Sequence, residues 1–171
     1  MMPRLVVALA MVLVLSGCAG DQSISLAEAK SNVQLLRNDA ASRIPADLVD
    51  TVLVSSDLSV SCEPESTDPD GRSRSWLSGA RISLMPDADL DAVVDALVAS
   101  FVAQGWEQSS GSTPGSTTLS SPTIVSDIEI TTTDSTDAER ASELTLALTS
   151  PCVDTDGAGS KEVRQLEAMA F

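Results

Sequence analysis

An unbroken run of eleven apolar residues near the N-terminus, Leu5 to Leu15, decides which part of this chain folds in water. A short polar start with one positive charge, Met1 to Arg4, precedes the run, and this arrangement is typical of a secretory signal peptide. A permanent transmembrane helix needs about 20 apolar residues, so the run is too short to span a bilayer. We therefore expect the run to be removed after export, and the remainder to fold outside the cytoplasm.

The apolar run ends directly in Leu15-Ser16-Gly17-Cys18. This motif, at this position, resembles the lipobox of bacterial lipoproteins. The resemblance implies removal of residues 1–17 and a diacylglyceryl thioether on Cys18. Two or more acyl chains make a stable anchor, since each buried methylene contributes about 0.8 kcal/mol. The chain is thus expected at the extracytoplasmic face of the cell membrane, held by lipid on Cys18, with residues 18–24 as a short tether.

The remaining chain is strongly acidic. Without residues 1–17, which include Arg4, 154 of the 171 residues remain and the formal net charge falls from −15 to −16. That length suits a single domain by the usual prior of about 100 to 200 residues each. A surface of this sign repels nucleic acid and anionic lipid head groups, so we expect no nucleic-acid partner.

Missing residue types exclude several kinds of catalysis. The sequence has no histidine, which rules out Ser-His-Asp and Cys-His arrangements. A Ser-x-x-Lys pair is also absent, because neither Lys30 nor Lys161 has a serine three residues before it. We therefore expect no enzyme activity, no resident metal and no cofactor.

With Cys18 acylated, Cys62 and Cys152 remain in a compartment where disulfides persist. Each cysteine continues the apolar alternation of a predicted strand, so both side chains are expected to point inward. We predict that they form a disulfide, which closes a loop of about 91 residues and stabilises the fold by roughly 4 to 5 kcal/mol through chain entropy. A redox or metal-binding pair is disfavoured, because the sequence has no Cys-x-x-Cys and no third free thiolate.

Two helices are predicted from apolar residues spaced three and four apart. The first begins at a capping box formed by Ser25 and Glu28 and ends before Pro45. Its basic residues are expected on its solvated face rather than on lipid phosphates: Lys30, Arg37 and Arg43. The second helix spans residues 87–104. Its predicted start and end residues are Asp87 as cap, Gly105 as closing residue, and Trp106 folding back on Phe101.

Strands are predicted where apolar residues alternate with polar ones. These segments are 52–62, 76–85, a short stretch after Trp106, 117–132 and 143–152. The order α-β-β-α-β-β-β favours an α+β fold with two layers, in which an antiparallel or mixed sheet carries its helices on one face. We expect one domain over residues 25–153, and a flexible tail over residues 154–171 with a short terminal helix.

The whole chain resembles small uncharacterised lipoproteins of high-GC Gram-positive bacteria. The features that carry the resemblance are the lipobox, the short tether, one cysteine in each terminal strand, and the Gly105-Trp106 pair after an acidic-capped helix. Only the lipobox is a specific motif. The resemblance therefore implies an envelope location and assigns no functional residue in the folded part.

Three features of the sequence were weighed as candidate sites. Segments 68–71 and 154–157 imitate parts of a calcium loop, but no Glu stands at position 12, so turns are the favoured interpretation. Asp127 and Glu129 share a strand face and suit either a hydrolytic carboxylate pair or a solvent face. Trp76 borders the polar loop. Its ring suits either contact with a ligand or a partner, or a position in the core.

These observations favour a non-enzymatic binding or accessory domain of the cell envelope, which is anchored through Cys18 and contacts an envelope protein. An open sheet face would strengthen this hypothesis. A carrier or sensor of a small or lipidic ligand is the alternative, and it requires an apolar cavity. A carboxylate-dependent hydrolase is less favoured, and it requires two convergent acids in a cleft.

Overall fold

The structure is a computed structural model that describes residues 24–111, 115–121, 126–133 and 141–170. The signal segment and Cys18 lie outside the described residues. The predicted cleavage, the lipid on Cys18 and most of the tether therefore stay predictions.

Within the described ranges the chain forms three helices and seven strands. The helices are α1 Leu26–Ser42, α2 Leu90–Val102 and α3 Lys161–Ala168. The strands are β1 Val49–Ser61, β2 Ser73–Leu84, β3 Glu107–Ser110, β4 Ser116–Ser120, β5 Asp127–Thr133, β6 Glu143–Thr149 and β7 Val153–Asp154. A single 3₁₀ turn, Ala46–Leu48, leads from α1 into β1.

All seven strands belong to one antiparallel sheet. The order across the sheet is β1-β2-β6-β5-β4-β3, and β7 pairs with the beginning of β2. The helices cover one face, where apolar side chains from every second sheet position form the core with residues of all three helices. The α+β class predicted from the sequence is confirmed, and the sheet is antiparallel rather than mixed.

Two predicted strands are each divided in the structure. The single strand expected over 117–132 is wrong, because β4 and β5 lie side by side as an antiparallel pair with Leu119 opposite Ile128. The strand expected over 143–152 ends at Thr149, and a separate short strand follows at β7. Pro151 explains this second break, since proline has no N–H to donate to a ladder within a sheet.

The predicted ends of the first two helices are largely confirmed. Ser25 and Glu28 form the capping box at the start of α1, with the Glu28 carboxylate accepting from the Ser25 N–H at 2.8 Å. The cap of α2 is Asp89 and not Asp87, because the Asp89 carboxylate accepts from the Ala92 N–H at 3.1 Å.

The predicted closure after α2 is also present. Gly105 adopts a positive φ of 88°, a conformation that glycine adopts without a Cβ penalty. The Trp106 N–H donates to the Phe101 carbonyl at 3.2 Å, and their rings meet edge to face at 5.1 Å. Trp106 is therefore a core residue that fixes the entry of the chain into β3.

The disulfide between Cys62 and Cys152 is confirmed, and it links the end of β1 to the segment before β7. The C-terminal segment, predicted as a flexible tail, contacts the rest of the domain. Its turn is held against the loop before β2 by two backbone hydrogen bonds, from Thr155 to Arg72 and from Ala158 to Asp70. The expected terminal helix is α3, and Val163 buries its side chain in the core.

Candidate functional site: the open face and free edge of the sheet

The sheet buries only one of its two faces. On β6, Leu144, Leu146 and Leu148 are fully buried beneath the helices, while the alternate residues Thr145 and Thr149 lie on the opposite face, partly or fully exposed. The same alternation runs through β5 and through the end of β2 from Ala80 to Leu84, because side chains along a strand point to opposite faces in turn. No helix among the described residues covers this second face, and we call it the open face.

Small side chains make the open face nearly flat. The strand register sets two rows of neighbours across it, Gly79-Ala147-Glu129-Thr118 and Arg81-Thr145-Thr131-Ser116. At Gly79 even a Cβ would lie 2.4 Å from the Ser56 hydroxyl, so the approach of β1 requires glycine there. The surface offers hydroxyls and a few charges rather than a cleft.

Arg81 and Glu129, two charged residues of the open face, contact neighbouring residues on the sheet. Arg81 Nε lies 3.1 Å from Glu143 Oε1, and the Ser116 hydroxyl donates to Glu129 Oε1 at 3.0 Å. Asp127 is exposed on the same face, beyond Glu129 on β5. The two acids thus share a face as predicted, but on a flat surface and not in the cleft that a hydrolytic pair requires.

The outer edge of β1 carries a run of exposed apolar side chains. Val52, Leu53 and Val54 are 49%, 56% and 50% exposed, and Leu58 is also exposed. Leu53 and Leu58 pair with Arg81 and Leu77 on the open face, whereas Val52 and Val54 pair with residues of the covered face. Both sides of this edge therefore present apolar side chains to solvent.

Trp76, the predicted contact residue, lies in the interior. Its ring is 0% exposed, and its indole N–H donates to Asp57 Oδ1 at 2.5 Å. Asp57 is 2% exposed and also accepts from the Gln34 amide. The ring therefore lacks the exposed face that stacking on a ligand or partner requires, and Trp76 takes the core position that the sequence left open.

Two basic residues of α1 complete this interior cluster. Lys30 Nζ lies 4.7 Å from the centre of the Trp76 ring and donates to the Leu166 carbonyl of α3. Arg37 donates to the Ser78 hydroxyl at 2.9 Å and lies 4.0 Å from Asp57. The expectation of a solvated basic face is wrong for both residues, because helix α1 turns them toward the polar stretch of β1 and β2.

A third buried cation lies at the adjoining end of the sheet. Arg74 donates to the Ser59 hydroxyl and, at 2.9 Å, to the Ser59 carbonyl. Together these contacts satisfy the buried cations with carbonyls, hydroxyls and one carboxylate, and no buried side-chain polar atom in the described part of the chain lacks a partner. The cluster is therefore a buried set of polar contacts that links α1 and α3 to the sheet and is shielded from solvent.

A groove on the surface of α1 is a candidate site for a small ligand. A groove of about 380 Å³ lies on the outer flank of α1, lined by Asn32, Leu35, Leu36 and Asp39. It is not at the interface between the helices and the sheet, where large side chains such as Trp76 and Phe101 fill the space.

The two acidic turns that imitate calcium loops are brought together by the backbone bonds between segments 70–72 and 155–158. Asp68 uses its carboxylate within its own turn, accepting from the Ser73 N–H at 2.8 Å. The backbone N–H of Arg72, followed by that of Ser73, lowers the pKa of the Asp68 carboxyl. Over the ranges described, no group of three or more acidic or cysteine side chains is arranged to hold a metal ion.

No family model matches the chain, and no curated protein or solved structure is significantly similar to it. None of the helices among the described residues is both long and apolar enough to cross a membrane.

Proposed function

We propose that this chain is a lipid-anchored protein of the extracytoplasmic membrane surface, whose domain binds an envelope protein through its open sheet face and performs no catalysis. The observation that carries the proposal is the open face itself. A sheet face that no described helix covers, with small polar side chains at its centre and exposed leucines on β1, offers a broad surface to a protein partner.

The anchor supports the same proposal from the sequence. The motif ending in Cys18 follows an export signal, and about six residues of tether keep the domain within roughly 20 Å of the bilayer. The strong negative charge favours a domain that stands off anionic lipid. A partner that is itself in or on the membrane fits this placement.

Lipidation is tested by the intact mass of the protein extracted from membranes. The expected mass is that of residues 18–171 with an acylated Cys18. Replacement by Cys18→Ala should release the domain from the membrane fraction. An unmodified Cys18, or a retained N-terminal segment, would contradict the anchor.

Partner binding is tested with a photo-crosslinking residue at Thr145, in the middle of the open face, in cells that naturally produce the protein. A matched probe at Asp95, on the exposed side of α2, controls for random collision. We expect a discrete protein adduct from position 145 that is lost with Thr131→Arg, which blocks the same face. Equal adducts from both probes, or none from position 145, would contradict the proposal.

A carrier of a small or lipidic ligand is the second candidate, and the groove on α1 is the feature that favours it. Native mass spectrometry of the detergent-extracted protein should then show a co-purifying lipid. Replacement by Leu35→Arg should remove that lipid, because it places a charge in the groove. Retention of the lipid in this variant would locate the ligand elsewhere.

A further inference from the structure

The C-terminal turn of α3 lies beside the beginning of α1. Lys30, in the second turn of α1, donates to the Leu166 carbonyl of α3 at 2.6 Å. A cation is favourable at this end of a helix, where the last carbonyls have no partner within the helix. Leu26, the first residue of α1, precedes Lys30 by a rise of only about 6 Å along the helix axis. The contact therefore holds the C-terminal turn of α3 near the point at which the chain enters the domain.

A lipid on Cys18 brings that point close to a bilayer. The segment from Cys18 to Ile24 spans about 20 Å when fully extended. The beginning of α1 and the C-terminal turn of α3 are thus the parts of the helix layer nearest the anchor, whereas α1 runs on for about 25 Å to its other end at Ser42. This step rests on the anchor that we propose at Cys18.

The C-terminal turn of α3 presents apolar side chains to solvent. Met169 is 66% exposed, the largest exposed fraction among the large apolar side chains of the described residues. Residues 165–170 include four apolar residues and a single charged one, Glu167. The helix buries Val163 in the core one turn and a half earlier, so only its end is apolar on the outside.

The distribution of charge turns this end of the domain toward the bilayer. Helices α1 and α3 each contain as many basic as acidic residues. Residues 82–139, which include α2, β3, β4 and β5, contain ten acidic residues and no lysine or arginine. Helix α3 packs on β1, and β3 lies at the opposite edge of the sheet, about 24 Å away across five strand spacings. Repulsion by anionic head groups therefore acts mainly on the far edge.

We propose that the C-terminal turn of α3 is a second membrane contact, in which Met169 lies in the interfacial layer of the bilayer that holds the lipid of Cys18. An apolar helix end buries its side chains at the boundary between head groups and acyl chains. Alone this contact is weak, but the lipid keeps the turn at a high effective concentration beside the bilayer. The two contacts together orient the domain, with the acidic edge of the sheet directed away from the membrane.

The test is photo-crosslinking to lipid in the full-length chain, in isolated membranes of a bacterial host that exports it. A diazirine amino acid at position 169 should give a lipid adduct on the peptide that carries it. The matched control is the same probe at Val102, which is 45% exposed and lies near the far end of α1, where Arg43 donates to Ser100. We expect about tenfold more lipid adduct from position 169, because only this position is held beside the bilayer. Equal yields, or a protein adduct in place of lipid at position 169, would overturn the proposal.

The intact mass of the same sample separates this contact from the anchor. Lipid on Cys18 without a lipid adduct from position 169 would overturn the contact and leave the anchor standing. A chain without lipid on Cys18 would overturn both.

A second probe tests the turn with Met169 in place. A diazirine amino acid at Ala168, which is also exposed, should label lipid, and adding Met169→Asp should remove most of this labelling. The thermal unfolding midpoint should stay unchanged, because the Met169 side chain is mostly exposed. Undiminished labelling in the double variant would overturn Met169 as the residue in the bilayer.

Discussion

The covered and open faces of this sheet are made by the same strands, yet they differ in almost every property. Neighbouring residues of β6 show the contrast: Leu146 is fully buried under the helices, and Thr145 lies on the open face between Arg81 and Thr131. The covered face is fixed by packing and by a buried polar cluster. The open face holds small side chains and surface charges on β4, β5 and β6, and exposed leucines on β1.

This difference separates residues that stabilise the fold, on the covered face, from residues that are available for binding, on the open face. Burial of apolar side chains contributes most of the stability, so substitutions on the covered face should lower the free energy of unfolding. Substitutions on the open face should leave the fold intact and affect binding alone. This contrast requires that substitutions on the covered face lower the free energy of unfolding much more than substitutions on the open face.

The largest effect is expected at Asp57, in the polar part of the covered face. Asp57→Ala removes the acceptor of the Trp76 indole and the carboxylate nearest Arg37. Loss of one partner leaves a buried cation less compensated, which typically costs about 3 to 5 kcal/mol of unfolding free energy. Denaturant unfolding measures this change. The control is Asp50→Ala, an exposed acid on the same strand, and equal losses in the two variants would show that the cluster has no special role.

Leu146→Ala tests the apolar part of the same face. It removes a fully buried side chain, so we expect a loss of about 2 to 5 kcal/mol, with the spread set by how far the core collapses around the cavity. Its neighbour provides the control, because Thr145→Ala on the open face should change stability by no more than about 0.5 kcal/mol. A large loss at Thr145 would mean that the open face is covered in the folded protein.

The sequence predicted the apolar face of the sheet well, because alternation directly encodes burial on one side. Leu144, Leu146 and Leu148 stand out in the sequence and are buried in the structure. The Gly105-Trp106 closure was equally predictable, since it depends on local chemistry. The disulfide was predictable for another reason, because Cys62 and Cys152 are the two cysteines that remain once Cys18 is assigned to the lipobox. The division of the 117–132 segment was not, since one long alternating stretch and two short paired strands have the same periodicity.

The polar cluster was hidden for a different reason. Lys30 and Arg37 have the residue types of a solvated helix face, and Asp57 interrupts the alternation of β1 only mildly. Their burial depends on which strand lies beneath α1, and pairing across sequence separations of 20 or more residues is not encoded locally. One signal was available: positions 30, 33, 37 and 40 have the spacing of a single helix stripe, so Lys30 and Arg37 shared the stripe of Val33 and Ala40.

A smaller effect is expected where α1, which covers the sheet, begins. Ser25→Ala removes the hydroxyl that caps the helix, and such a change costs typically about 1 kcal/mol. The Ser25 backbone N–H, followed by its hydroxyl, lowers the pKa of Glu28. A lowered folded-state pKa stabilises the fold above the pKa of the unfolded chain, and the contribution is lost as pH falls through the folded-state value.

The stability difference between the wild type and Ser25→Ala should therefore narrow on acidification through the Glu28 titration. Denaturant unfolding as a function of pH measures it, and NMR titration of Glu28 checks the direction of the pKa shift. Leu35→Ala, at an exposed position farther along α1, should show no such dependence on pH. A difference that stays constant down to strongly acidic pH would contradict the coupling of the cap to this carboxylate.

The smallest effect is expected for the ion pair of the open face. Arg81 and Glu143 lie 3.1 Å apart, but 55% of the Arg81 side chain is exposed, and exposed pairs contribute only about 0 to 1 kcal/mol. Arg81→Gln should therefore shift the unfolding free energy by less than 1 kcal/mol, and added salt should reduce even that difference. Crosslinking from position 145 should nevertheless weaken in this variant, because Arg81 is the cation beside Thr145 in the same row. Unchanged crosslinking would mean that the partner contacts the hydroxyl-bearing strands β4, β5 and β6 and not Arg81. A large loss of unfolding free energy would mean that the open face contributes to the stability of the fold.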